Sequence, residues 1–241
     1  MLESESLRQR ACEVLKSSAL FGALEETTRR GLVKECKEVY WKRSESIDPD
    51  IGMKELHIII SGRLKVIQVD PESGRSLALY LLKEGDIFDV FSLLDGKEHV
   101  VFPIAMDNME LLSIPLKRAR KWLEEHPEFI STFLTYLGER IRELESFTES
   151  LVFHDTTTRL ANLILKHTES SEEKEDHYPV RLINNLSHES LAELIGSVRS
   201  VVSIQMHKLK EEKVIINKRG HLAVKNLEML LQKCDLFHTT P

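Results

Sequence analysis

The chain is poor in cysteine, and this excludes several kinds of site. Its 241 residues include three cysteines, which are widely spaced and form no CxxC pair: Cys12, Cys36 and Cys234. Their odd number and spacing predict neither a disulfide framework nor a structural zinc site. An iron–sulfur cluster normally takes roughly four thiolates, which is more than one chain supplies here. We expect buried or idle thiols and leave a redox role for one of them open.

Long apolar runs are also absent. No uninterrupted apolar stretch approaches the roughly 20 residues that a transmembrane helix needs. The first residues, Met1–Ser6, lack the basic and then apolar order of a signal peptide. We therefore expect a cytoplasmic protein without a membrane partner. Its length and its 30% of charged residues suit two modest globular domains.

Positive charge is in deficit over the whole chain but not near its C-terminal end. The formal net charge of -6 by itself argues against a polyanionic partner. An acidic run, Glu169–Asp176, is typical of a solvated loop. Between Val180 and Lys225, however, basic residues outnumber acidic ones: Arg181, Arg199, Lys208, Lys210, Lys213, Lys218, Arg219 and Lys225. This local excess fits a modest, salt-sensitive DNA contact, because only one face has to meet DNA.

The same basic segment contains a pattern of two short helices around a glycine, Leu186–Leu209. Ser187 can cap the first helix, Gly196 makes the turn, and Ser197 can cap the second helix. The first helix has an apolar face of Leu191, Ala192, Leu194 and Ile195. This pattern is typical of a DNA-reading helix-turn-helix. The alternative is an ordinary helical hairpin with a solvated polar face.

The second helix and the segment after it supply the candidate DNA contacts. Inward positions are predicted for Val198, Val201, Val202, Met206 and Leu209. The other face would enter the major groove. The following segment, Lys210–Val224, contains two β-rich runs joined by a basic turn and is typical of a hairpin wing. Residues at its tip are expected to contact phosphate. The predicted DNA-binding set is Ser187, Ser197, Arg199, Ser200, Ser203, His207, Lys218 and Arg219.

The N-terminal half has the pattern of a small β-sandwich or jelly roll. Short β-type runs with turn residues between them cover Leu56–Ile60, Leu64–Val69, Leu77–Leu82 and Met109–Ile114. Helical segments precede them, from Leu7 to Leu20 and around Thr27 to Glu35, and we expect these to cover one end of the barrel.

A long helix with a heptad seam follows Pro127. Its apolar residues recur at steps of four and three: Ile130, Leu134, Leu137, Ile141, Leu144 and Leu151, with Thr148 as the weak step. Such a seam favours a parallel homodimer; the alternative is that the stripe packs on the chain's own β-domain. A dimer would place two reading helices about 34 Å apart, as a palindromic site requires.

These elements define an α+β protein with three predicted parts. Residues 1–127 form a β-roll sensor domain with N-terminal helices, and residues 128–154 form the dimerisation helix. Residues 155–241 form a winged helix-turn-helix domain. Asp155 is a candidate N-cap for the next helix, Thr156–His167, and Phe153 would pack at the joint.

The order of these parts resembles the CRP/FNR family of bacterial transcription regulators. The matching motifs are Ser61–Val66, Gly85–Phe88, Phe153–Asp155 and the stretch Leu186–Ile215. The resemblance implies a homodimer on a palindromic promoter site, acting with RNA polymerase, and we expect an activator. Arg199 matches the arginine that usually makes a base or phosphate contact. Ser200 and Ile204 depart from the glutamate and the basic residue usual in the family, so a different half-site is expected.

The cyclic AMP pocket of the family is not matched. Asp89–Phe91 and His99–Val100 replace its Gly-Glu-Leu and Arg-Ser motifs, and Leu144–Glu145 replace a Thr-Ser pair. Without the arginine, and with Asp89 repelling phosphate, cyclic AMP is not expected. A pocket for another effector would use Asp89, Phe91, His99, Val100 and Leu144, and a constitutively active dimer is also possible. No resident cofactor is predicted, although haem or another small molecule stays open.

The scattered histidines are more typical of packed or surface residues than of ligands: His57, His99, His126 and His154. Two other classes of function are alternatives. A cupin-like metalloenzyme would need clustered histidine and glutamate ligands on neighbouring strands, and only His57 lies in the strand runs. A small-molecule-sensing dimer without DNA binding would use the C-terminal domain for protein contacts. We expect a regulator without catalytic activity.

Overall fold

A computed structural model describes residues 2–45, 47–48, 50–97, 99–171, 176–218 and 221–234. The chain forms two compact units. The first unit contains residues 1–75 and 79–143, and the second contains residues 76–78 and 144–241. Among the described helices, none combines the length and apolarity that crossing a bilayer requires.

The first unit is built on two antiparallel sheets. Its strands are β1 (Lys37–Trp41), β2 (Glu55–Ser61), β3 (Leu64–Val69), β4 (Ser76–Leu82), β5 (Ile87–Phe88), β6 (Phe102–Ala105) and β7 (Met109–Pro115). The first three residues of β4 are assigned to the second unit. One sheet has the order β1-β7-β2-β5 and the other the order β4-β3-β6. All four β-type runs of the sequence are therefore strands.

Helices of the first unit pack against the four-stranded sheet. They are α1 (Leu2–Ser17), α2 (Glu26–Glu35), α3 (Ile51–Lys54), α4 (Val90–Asp95), α5 (Leu116–Glu125) and the first part of α6 (Glu128–Phe153). Ile58, opposite Leu112 in the β2–β7 ladder, joins the core beneath α1, α2, α5 and α6. Ile59 and Leu111 point to the other side, into a second core with Trp41 and Phe88. This alternation follows from the two-residue period of a strand.

The described part of the second unit contains the end of α6, four further helices and a small sheet. They are α7 (Thr156–Lys166), β8 (Tyr178–Pro179), α8 (His188–Leu194), α9 (Arg199–Glu211), β9 (Ile215–Lys218), β10 (His221–Val224) and α10 (Leu227–Leu231). The sheet has the order β8-β10-β9. Asp155 caps α7 by accepting a hydrogen bond from the Thr158 amide, 2.8 Å away, as the sequence predicts.

The long helix is present with the predicted length, and the division between the two units falls inside it, after Glu143. The three-part boundary at 127 and 154 stays a prediction.

Candidate nucleic-acid interface

The helix-turn-helix is formed by α8 and α9. The Ser187 hydroxyl caps α8 by accepting a hydrogen bond from the Ser190 amide at 3.1 Å. Leu191, Ala192 and Ile195 are fully buried. Capping removes one unsatisfied amide at the start of this short helix. The predicted cap and apolar face of the first helix are thus present, with Leu194 half-buried.

The turn between the two helices requires glycine. Gly196 has a φ of +61°, and a Cβ built there would lie 2.5 Å from Leu151 Cδ2. Both the left-handed backbone and the close approach exclude a side chain without rearrangement.

The prediction that Ser197 caps α9 is wrong. The N-cap position belongs to Val198, whose backbone is extended and which forms no side-chain cap. The chain needs one further extended residue after the left-handed glycine before the helix begins. For the same reason Val198 is exposed rather than packed on α8, so its predicted inward position is also wrong.

The inner face of α9 otherwise follows the sequence. Val202, Met206 and Leu209 are buried, and Val201 is half-buried. These side chains fix the helix on its own unit. Their direction determines which residues face away from the protein, because each residue of a helix is rotated by about 100° from the one before it.

Four predicted reading residues occupy the outer part of α9. Arg199, Ser200 and His207 are exposed, whereas Ser203 is half-buried. The Ser203 hydroxyl lies 2.8 Å from Nδ1 of His188 in α8. His207 Nε2 lies 3.2 Å from a carboxylate oxygen of Glu211 one turn later. Ser203 and His207 therefore already have partners within the protein, and Arg199 and Ser200 are the more accessible pair.

Two residues of this face were not in the predicted set. His188 carries no local signal for its role, because its partner Ser203 is brought to it only by the packing of α9 on α8. Ile204 was noted in the sequence only as a departure from a family pattern, yet it is 66% exposed. An apolar residue at an outward position of an amphipathic helix is a signal that the sequence pattern alone contains.

The wing follows α9 directly. In the β9–β10 hairpin Lys218 is opposite His221, and the Leu222 amide donates to Asn184 Oδ1 at 2.9 Å. This bond joins the wing to the segment before α8. The side chain of Lys218 and the whole of Arg219 lie outside the described residues, so the phosphate contacts expected of both stay predictions.

Arg159 of α7 connects the turn to the end of the long helix. Its guanidinium donates to the Leu151 carbonyl at 3.3 Å and to the Gly196 carbonyl at 3.4 Å. Together with the close packing of Leu151 on Gly196, these bonds hold the last turns of α6 against the helix-turn-helix.

The long helix has two apolar stripes in its first half. Phe129, Phe133 and Tyr136 are buried in the core of the first unit. One residue further round, Ile130, Leu134 and Ile141 of the predicted seam are exposed, the last two by 60% and 58%. The other seam residues, Leu137, Leu144 and Leu151, are half-buried, and Leu137 packs against the first unit's core.

The predicted effector residues are only partly together. Asp89 is buried and has a φ of +65°; it caps α4 and accepts a hydrogen bond from the Ser92 hydroxyl at 2.7 Å. His99 Nδ1 lies 3.1 Å from the Asp89 carboxylate, and the His99 ring packs edge-on to Phe91. Burial acts to raise the pKa of Asp89, but the hydrogen bonds of His99 and Ser92 outweigh it, so the pKa is lowered. Val100 is exposed, and Leu144 belongs to the second unit.

A cavity of about 30 Å³ lies elsewhere in the first unit. Its lining is apolar and includes Phe21, Leu32, Ile58, Trp122 and Phe129. Its size is that of a packing gap in the helix-covered core rather than of a ligand site, since ligand pockets occupy roughly 300–1,000 Å³.

Two cysteines and one histidine of the candidate groups have surroundings that lower their reactivity. Burial raises the pKa of Cys36 to about 12 and that of Cys234 to about 11, so both stay protonated at neutral pH. His57 points into the apolar core beside Trp41 and Phe88. Within the described part of the chain, no three His, Cys, Asp or Glu side chains form a group that could hold a metal ion.

Comparison with known proteins identifies relatives for both halves of the chain. A model of the cyclic nucleotide-binding domain matches residues 50–126, and a model of the Crp-like helix-turn-helix domain matches residues 158–233. The global nitrogen regulator of Synechococcus elongatus is 31% identical over 188 residues, which cover 77% of this chain and 83% of the relative. A CRP-like cAMP-activated global transcriptional regulator of Mycobacterium tuberculosis is 25% identical, with 79% and 85% covered.

Solved structures share the fold. A CooA mutant from Carboxydothermus hydrogenoformans matches with a TM-score of 0.69 and 22% identity over 84% of this chain and 89% of that one. The c-di-GMP responsive global regulator CLP of Xanthomonas campestris matches with a TM-score of 0.70 and 16% identity, covering 84% and 100%.

Proposed function

Because this chain belongs to the CRP/FNR family of DNA-binding transcription regulators, we propose that it acts as a homodimer on a palindromic promoter site. The observation that carries the proposal is the double stripe of α6. Phe129, Phe133 and Tyr136 already attach the helix to its own unit. The second stripe, Ile130, Leu134 and Ile141, leaves large apolar side chains in water. A second copy of the same helix would bury them, as the heptad spacing favours.

The DNA contacts are assigned to α9 and its surroundings. Arg199 contacts a base or a phosphate at the start of the recognition helix, beside Ser200, and Ser203 and His207 follow at successive turns. Ser187, Ser197, Lys218 and Arg219 are assigned to the DNA backbone at the edges of this surface. Backbone contacts fix the register of the protein, whereas contacts inside the groove specify the sequence.

The effector, if there is one, differs from cyclic AMP. The lowered pKa of Asp89 keeps a negative charge where a cyclic phosphate would need a positive one. His99, which stands at the position expected for an arginine, already contacts that carboxylate. Any other ligand that binds at Asp89, Phe91 and His99 would have to separate these contacts. The alternative is a dimer that binds DNA without an effector.

The wider role follows from the family. A regulator bound to a promoter acts on RNA polymerase and works in the cytoplasm, where promoter DNA is accessible. Activation rather than repression is the role we assign to it.

The first experiment is a selection of DNA by the untreated protein. Purified protein is mixed with fragmented genomic DNA at near-physiological salt, and the retained fragments are sequenced. We expect a shared palindrome with half-sites about one helical turn apart.

The matched control for this selection is the Arg199→Ala variant. It should lose roughly 1 to 3 kcal/mol of specific affinity, because one charged contact to DNA is removed. A normal footprint from this variant would take Arg199 off the reading surface. Retention of fragments with no shared sequence by the parent protein would contradict the proposal.

A further inference from the structure

The recognition helix presents one large apolar side chain to its surroundings. Ile204 is 66% exposed, whereas Val202, Met206 and Leu209 of the same helix are buried. At about 100° of rotation per residue, Ile204 lies almost opposite to Val202 and one turn after Ser200. It therefore points away from the helix-turn-helix core and makes no part of the packing that holds α9.

The residues around Ile204 indicate which class of molecule it contacts. Ser200, His207 and Lys208 are exposed on the same outward face, and Glu211 at its C-terminal end pairs with His207. An apolar side chain flanked by a serine hydroxyl, an imidazole and a lysine complements nucleic acid better than it complements an apolar protein partner. The apolar group that a DNA major groove presents is the 5-methyl of thymine.

We propose that Ile204 contacts a thymine methyl in each half-site and so determines a thymine at that position. This inference rests on the proposed function, since it requires α9 to enter the major groove. It extends the proposed function by naming the base and the chemical group that are recognised. An isoleucine forms no hydrogen bond with a base edge, so discrimination at this position comes from burial of the methyl group.

The contact can be tested by removing the methyl group from the DNA rather than from the protein alone. The best site from the DNA selection is synthesised with each thymine replaced in turn by deoxyuridine, which keeps base pairing. The affinity of each duplex is then measured for the parent protein and for Ile204→Ala. Alanine is a strong helix former and Ile204 is exposed, so this variant should fold normally.

One thymine per half-site should be sensitive. Its replacement should weaken binding by the parent protein about fourfold, the equivalent of roughly 0.8 kcal/mol for one buried methyl. Replacement in both half-sites should weaken binding by roughly fifteenfold if the two contacts are independent. The Ile204→Ala protein should bind the thymine and deoxyuridine duplexes equally well.

The Leu94→Ala variant is the matched control. Leu94 is an exposed apolar residue of α4 in the other unit, so this variant should keep the full sensitivity to deoxyuridine.

Several results would overturn the inference while leaving DNA binding intact. They are a selected half-site without thymine, no effect of any replacement, or an equal effect of the replacement on the parent protein and Ile204→Ala. Failure to select any specific sequence would overturn the proposed function and this inference together.

Discussion

At the scale of single residues, His57 is the group whose surroundings fit its chemistry least. It is fully buried in β2, and neither ring nitrogen has a hydrogen-bond partner among the described residues. The nearest carboxylate oxygen, of Glu55, lies 3.9 Å from Nε2. Burial lowers its pKa to about 4, from 6.5, despite Glu55 nearby. The folded protein therefore keeps His57 neutral, while the unfolded chain takes up a proton below about pH 6.5.

This difference predicts an acid sensitivity that one substitution removes. Above pH 6.5 His57 is neutral in both the folded and the unfolded state and does not lower the free energy of unfolding. As the pH falls towards 4, protonation of His57 in the unfolded chain lowers this free energy. Between pH 7 and pH 5 the free energy of unfolding of the parent protein should fall relative to that of His57→Leu by roughly 2 kcal/mol.

The chain contains two tryptophans, Trp41 and Trp122, and both lie in the first unit with His57. Urea unfolding followed by tryptophan fluorescence thus measures the relevant unit. His221→Leu, which changes an exposed histidine on the wing, is the control. Parallel pH profiles of the parent and His57→Leu would show that this histidine is already protonated in the folded state.

Gly196 gives a second prediction at this scale. Its substitution by alanine should cost about 1 to 3 kcal/mol, because the residue has a left-handed backbone and a new Cβ would overlap Leu151. Gly31→Ala is the control, since no described atom outside the neighbouring backbone of its own helix lies within 4 Å of the corresponding Cβ. Thermal unfolding by circular dichroism and DNA affinity should both report a defect in Gly196→Ala alone. A variant with unchanged melting and affinity would mean that the turn can shift without cost.

At the scale of elements, the long helix shows what a sequence pattern can and cannot determine. The heptad positions correctly predict a helix of this length. They do not predict which apolar stripe meets the chain's own core, because Phe129, Phe133 and Tyr136 form a second stripe only one residue away. Choosing between two adjacent stripes needs the position of the sheet and of α5, which is tertiary information. Leu137, assigned to the seam, in fact contacts the first unit's core.

The exposed stripe can be tested without disturbing that core. Leu134→Glu combined with Ile141→Glu should give monomers, because two like charges would face their copies across the seam. Light scattering at micromolar concentration should report half the parent's mass, with an unchanged circular dichroism spectrum. Glu139→Gln combined with Glu145→Gln, on exposed positions of the same helix, is the control and should stay dimeric. A double-glutamate variant of parental mass would place the dimer contact elsewhere.

The helix-turn-helix was predictable for a different reason. Capping serine, turn glycine and apolar spacing are local signals, and the positions of α8 and Gly196 follow from them. The start of α9 was misplaced by the extended conformation of Val198, which no local signal marks. The pairing of His188 with Ser203 joins residues of two elements, so it depends on their packing and not on either local pattern.

At the scale of the whole molecule, the charge distribution and the proposed dimer together predict how DNA is bound. The net charge of -6 makes attraction of the entire protein to DNA unfavourable. In the proposed dimer, binding therefore depends on both helix-turn-helix segments acting together. Moving the half-sites apart by about five base pairs, half a helical turn, would place them on opposite sides of the duplex. Affinity should then fall to that of a single half-site.

Gel-shift titration of the two spacings checks this expectation. Insertion of about ten base pairs returns the two half-sites to the same side of the duplex but keeps them further apart. It is the matched control for added length. Equal affinity at the original and half-turn spacings would indicate heads that bind independently.

On α9, different residues pack the helix and face away from the protein, and this affects how DNA specificity can evolve. Val202, Met206 and Leu209 carry the packing of the helix, while the accessible Ser200 and Ile204 carry none of the buried core. Substitutions at these two positions can therefore alter the preferred DNA sequence with little loss of folding stability. If the proposed function holds, a duplicated gene for this chain would acquire a new set of promoters by a few changes on one helix face, with the rest of the protein unchanged.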